Sequence, residues 1–184
     1  MARRSIARTC SSRTTSSPAA TWRSPISKID GKVKRILFVC TGNVCRGPLA
    51  EAYLQRCLLV RNQRDVWVES AGTAGFRGLP ASQGSADHAR SIGIDLSAHR
   101  SSPLTAEKIA EADLILCMEE HHHAAVLSSD PAAAPRTFLL THFLEPPRQD
   151  TEIHDPHGSD RADFQATGEQ VMEACRALIR NLVI

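Results

Sequence analysis

Apolar residues in this chain alternate between short unbroken runs and longer stripes at helical spacing. RILFVC, residues 35–40, is one such run, and it stops abruptly at Thr41-Gly42-Asn43, as a strand buried on both faces does. Leu49, Tyr53, Leu54, Cys57 and Leu58 then share one helical stripe opened by Pro48, a residue favoured where a helix begins because no N–H partner is lost there. Residues 66–71 predict a second strand, followed by a loop over 72–80. Residues 82–92 predict a helix closed by Gly93, and 105–112 a short helix capped by Thr105. A third buried strand is expected over 114–118, a helix over 119–127 and a fourth strand over 137–140. Residues 145–159, interrupted by Pro146, Pro147, Pro156 and Gly158, predict a loop of a length that usually carries function. Phe164, Val171, Met172, Cys175, Leu178 and Ile179 mark a last helix over 161–182.

Strands alternating with helices predict an α/β fold: a single domain with a four-stranded parallel sheet and helices on both faces. Ligands in such sheets bind beyond the carboxyl ends of the strands. That rule singles out CTGNVCRGP, residues 40–48, between the first strand and the first helix.

Composition adds a boundary. The chain has 184 residues and a net charge of +2, yet residues 1–33 hold seven cationic side chains against Asp30 alone, a net of +6. Residues 34–184 therefore carry 15 − 19 = −4, which gives no reason to expect a nucleic-acid partner for the folded part. No stretch is long and apolar enough to predict a membrane span. The Ser/Arg-rich segment 1–33 fits either a disordered extension or an organelle transit peptide, and the fold is expected over 34–184. Aromatic residues make up only 4%, so the core is expected to be aliphatic. Six cysteines without a C-x-x-C pair or matched histidines predict no zinc site and a reduced, cytoplasmic protein, with Cys57, Cys117 and Cys175 as small buried hydrophobes.

The loop after the first strand carries the chemistry. A strand-to-helix loop turns several backbone N–H groups inward and makes an anion nest, here formed by Thr41, Gly42, Asn43, Val44 and Cys45. Arg46 closes the nest with a fork suited to two oxygens of a phosphate-like anion. Cys40 faces the same dipoles, which lower a thiol pKa, so it is expected to be a thiolate at neutral pH aimed at the bound atom. The reaction class that follows is nucleophilic displacement at phosphorus or arsenic.

Residues 34–184 resemble the low-molecular-weight protein tyrosine phosphatases over their full length, in FVCTGNVCRGPLAEA, SAGT (70–73), GIDLSAHRS (93–101), ADLILCMEE (112–120) and HDPHG (154–158). The resemblance implies a nucleophile at Cys40, a phosphate clamp at Arg46 and a general acid at Asp155, with no cofactor or metal and a phosphorylated protein as partner. It further implies a left-handed Asn43 held by Ser70 and His99, with Glu119 orienting that histidine. Cys45 matches a cysteine able to form a disulfide with the nucleophile; a small side chain packed beneath the loop is the plain alternative. Two departures stand out. Gly47 occupies a position usually held by a hydroxyl residue, which predicts slower turnover and a gain from Gly47→Ser. His157 stands where an aromatic ring usually walls the pocket, with Phe76 a candidate for the opposite wall. His121-His122-His123 predicts a solvated helix start, because adjacent helical residues point apart and three in a row do not converge on one ion. A protein-arginine phosphatase ranks second, disfavoured by Val44 where those enzymes place threonine. Arsenate reductase and a residual phosphate-binding module follow.

Overall fold

The computed structural model describes residues 32–144 and 152–182. The expected N-terminal extension lies almost wholly outside the described residues, as does the first part of the expected 145–159 loop.

Four strands, β1 (Arg35–Cys40), β2 (Trp67–Gly72), β3 (Leu114–Cys117) and β4 (Thr137–Leu139), form one all-parallel sheet in the order β2-β1-β3-β4. Strand β1 is thus central, and the chain winds outward from it in both directions. The loop leaving β1 sits where the winding reverses, the crevice in which such sheets bind ligands.

Side-chain alternation along β1 sorts the core into two layers. Ile36, Phe38 and Cys40 face one layer, with Leu114, Leu116 and residues of the helices α1 (Arg46–Val60) and α5 (Arg161–Asn181). Leu37 and Val39 face the other, with Ile115, Cys117, Ile109 of α3 (Ala106–Glu111) and Val126 of α4 (Glu120–Ser129). Helix α2 (Gln83–Ser91) packs on α5. Its N-cap Ser82 accepts from Ser85 N–H, and Thr105 caps α3 by accepting from Lys108 N–H.

Boundaries moved by a residue or two, one of them with consequence. Helix α1 begins at Arg46, so Pro48 is its third residue, still within the first turn where an N–H has no helical partner. The earlier start brings Arg46 and the Gly47 amide to the helix mouth. Gly93 follows α2 with φ +74, the left-handed geometry expected of a helix-ending glycine.

Candidate active site

Register places the loop before any side chain acts. Cys40 pairs with Gly72 across the sheet, and β3 ends beside Val39. Residues 41–45 then curl above these strand ends with Asn43 at φ +53. The curl passes so close to β2 that a Cβ on Gly72 would lie 2.7 Å from Thr41 O and 3.0 Å from Asn43 N. Only glycine fits there, which accounts for the third residue of SAGT.

Every polar atom of the Asn43 side chain and its carbonyl is used. Nδ2 donates to Ser70 Oγ (2.8 Å), Oδ1 accepts from Ser102 N–H (2.8 Å), and the carbonyl accepts from His99 Nε2 (2.8 Å). The Ser70 hydroxyl in turn donates to Glu51 Oε2 at 2.6 Å. Three anchors thus offset the cost of a left-handed non-glycine residue, about 1–3 kcal/mol. Burial holds His99 below the ordinary histidine range, so it serves as a neutral donor.

Cys40 lies at the floor, 2% exposed, with the N–H groups of Asn43 and Gly47 directed at its sulfur. Burial nevertheless pushes the thiol up to about 11, against the pull of Arg46 and those two amides. Burial thus works against the expected thiolate, and the strongest influence in its favour is Arg46. Its guanidinium, 1% exposed, donates from Nη1 to Glu119 Oε2 (2.6 Å) and Ile153 O (2.7 Å), and from Nη2 to Asp155 Oδ2 (2.6 Å). Two carboxylates share this one cation, and it remains the strongest influence drawing the Cys40 thiol down.

The same contacts reassign Glu119. It was expected to orient His99, but it grips Arg46, because the turn from β3 into α4 brings it over the loop. Asp155 arrives by a different route. Ile153 N–H donates to Met118 O (2.8 Å), extending the β3 line, and the fully buried Ile153 side chain pins the segment two residues before Asp155.

His122 is the residue that sequence reasoning missed. It was expected on a solvated helix start, yet it is fully buried, and burial lowers its pKa to about 3. Nδ1 accepts from Glu119 N–H (3.1 Å), so Nε2 carries the proton and donates to Thr41 Oγ1 (2.9 Å). Thr41 Oγ1 also accepts from Arg46 Nη2 at 3.3 Å. The signal was present as Glu119-x-x-His122, a capping-box spacing with histidine in the usual place of Glu or Gln.

One ligand atom from each of Glu119, His121 and His122 lies within 4.8 Å of the others, closer together than the sequence reading expected of a histidine run. His122 is engaged by Thr41 and the Glu119 N–H, and the Glu119 carboxylate by Arg46.

Because His122 is held neutral, its stabilising effect is complete above pH about 6.5 and is lost as pH falls toward 3. Wild type is expected to lose about 2–3 kcal/mol more than His122→Asn between pH 7 and 4.5, read by urea unfolding. Equal losses in the two proteins would refute this.

A cavity of about 90 Å³ opens above Cys40 and Arg46, with room for a small anion. Val44 and Phe76 (49% exposed) form an apolar wall, and Asp155 and His157 stand at the rim. His157 N–H donates to Asp155 Oδ1 (3.2 Å). Cys45, buried, donates through sulfur to Ser82 Oγ at 3.1 Å, and burial raises its thiol pKa. A Cβ at Gly47 would stand 2.9 Å from Asn43 Nδ2 and 3.0 Å from Cys40 Sγ. The cup has closed onto the space a hydroxyl residue needs, so the simple gain expected of serine does not follow.

The family model described as "Low molecular weight phosphotyrosine protein phosphatase" matches residues 35–183. A low molecular weight protein-tyrosine-phosphatase of Acinetobacter johnsonii is 37% identical over 134 residues, 73% of this chain and 87% of that protein. The crystal structure of the Erwinia amylovora tyrosine phosphatase amsI superposes with a TM-score of 0.76 at 30% identity, covering 84% of this chain and 97% of the other. The arginine phosphatase YwlE of Geobacillus stearothermophilus aligns at 0.72 and 33% identity, covering 80% and 91%. With its Cys40–Arg46 loop and a family match over most of its length, this chain belongs to the low molecular weight phosphotyrosine protein phosphatase family.

Proposed function

We propose that this protein hydrolyses phosphotyrosine in protein substrates by two displacements at phosphorus. The carrying observation is the bond of Arg46 to Asp155 across 109 residues, directly above a sulfur that receives two amide donors. An entering phosphoryl group takes the Arg46 fork from Asp155. The proton resting on sulfur is relocated to the Asp155 carboxyl, which leaves net charge unchanged and produces the reactive pair. Cys40 then attacks phosphorus while Asp155 protonates the leaving phenol, and a cysteinyl-phosphate forms. Asp155, again a carboxylate, activates the water that hydrolyses it. Arg46, the loop amides and the Thr41 hydroxyl hold the equatorial oxygens. The protein works in the reducing cytoplasm, a reading supported by five free cysteines among the described residues.

Val44 and Phe76 favour an aryl ester, since an aromatic ring stacks on apolar walls, which offer the N–H groups of a guanidinium no hydrogen-bond acceptor. Turnover of matched phosphotyrosine and phosphoarginine peptides tests this, with phosphotyrosine expected to give the higher kcat/KM. Preference for phosphoarginine would reverse the substrate assignment.

Gly47 allows a finer check. Gly47→Ala is expected to cost about 1–3 kcal/mol of stability through overpacking and to slow hydrolysis. Gly47→Ser carries the same crowding plus a donor for the thiolate, so it should turn over faster than the alanine variant. Equal rates for alanine and serine would show that no hydroxyl is felt at sulfur.

A further inference from the structure

The second concavity of interest lies at the opposite end of α1 from the cup. It is a groove of about 490 Å³ between the C-terminal halves of α1 and α5, and Arg56, Arg61, Arg176 and Arg180 all line it. Among the described residues, no carboxylate does. This is unexpected in a folded region whose net charge is −4.

Helix termini explain part of the cluster. Arg61 follows α1 and donates from Nη1 to Ile179 O in α5 (2.7 Å), and Arg56 Nη1 donates to Ile92 O at the end of α2 (2.7 Å). Three helix C-termini contribute roughly −0.5 charge each, about −1.5 in all, against four guanidiniums. More than half of the positive charge is left over. Arg176 Nη1 is held at 2.9 Å from the Tyr53 hydroxyl, with its guanidinium 5.9 Å from the ring centroid. Three arginines are thus fixed in place by neutral acceptors, which orient them without cancelling their charge. All four are exposed, and Tyr53, Ile92 and Ile179 give the groove an apolar floor.

We infer that this groove is a second anion site, separate from the catalytic cup, that takes a small molecule bearing two or more phosphate groups. Fixed forks match phosphate oxygens in pairs with little further loss of side-chain freedom. The volume is that of a small-molecule site, and several clustered charges favour a multiply charged ligand over a single phosphate. The chain's own N-terminal segment, at net +6, is repelled by such a groove.

Inorganic tripolyphosphate is the probe, titrated calorimetrically into the full chain at low ionic strength. Two sites are expected. One coincides with competitive inhibition of aryl-phosphate hydrolysis. The other weakens at least about tenfold in Arg176→Gln/Arg180→Gln, with the inhibition constant unchanged. Arg56 and Arg61 are left intact because they hold helix ends. Should the double variant misfold, Arg180→Glu alone alters an exposed side chain and is expected to weaken the same site. A single site fully accounted for by inhibition, or a second site indifferent to these substitutions, would overturn the assignment. Heat is read whether or not an ester is turned over, so the loss of the second site in the variants is seen independently of the proposed activity.

Discussion

Cys40→Ser protein is expected to hydrolyse aryl phosphates more slowly than wild type by a factor on the order of 10⁴–10⁶, with its fold intact. A serine hydroxyl at this depth is a far weaker nucleophile than sulfur. It is close in size, however, and accepts the same two N–H groups from Asn43 and Gly47. The melting temperature should therefore change little while phosphate binding persists, because Arg46 and the loop are untouched. Steady-state kinetics and thermal melts on one preparation check both halves. Hydrolysis near the wild-type rate would remove Cys40 from the chemistry altogether.

Asp155→Asn is expected to lower turnover by about 10²–10⁴ for phosphotyrosine and by less for esters whose leaving group needs no proton. It has a second consequence that runs in the opposite direction. Burial is the main cause of the raised Cys40 pKa, with the Asp155 charge adding to it, and the Asp155 carboxylate also occupies the Arg46 fork. Removing that charge lets the guanidinium act on sulfur, so the Cys40 pKa should fall from about 11. Alkylation of Cys40 by iodoacetamide at pH 8 should then be faster in the less active protein. Slower catalysis with unchanged alkylation would mean that Asp155 does not restrain the thiol at rest.

Much of the fold was legible because its signals are local. A short apolar run such as RILFVC that stops at Thr-Gly-Asn favours a strand buried on both faces, and a stripe such as Leu49–Leu54–Leu58 favours a helix that buries one side. Helix ends followed the same logic at Ser82, Thr105 and Gly93, where one side chain or one positive φ decides the outcome. The loop was legible too, since a cysteine, a glycine-containing turn and an arginine between strand and helix leave few alternatives.

The errors cluster where residues distant in sequence meet. Glu119 has two possible partners in the cup, and only the turn into α4 selects Arg46 over His99. His122 reads as one of three surface histidines until the fold closes the loop over it and takes both its nitrogens. The charge balance around Cys40 is non-local in the same way. The sequence displays the cation beside it, whereas the two carboxylates that answer that cation lie 73 and 109 residues from Arg46. Local pattern thus determined the elements and the strand-to-helix loop that holds Cys40 and Arg46. Which charges cancel, which proton sits on sulfur and where four arginines collect are sums over the whole chain, and only the tertiary structure carries them out.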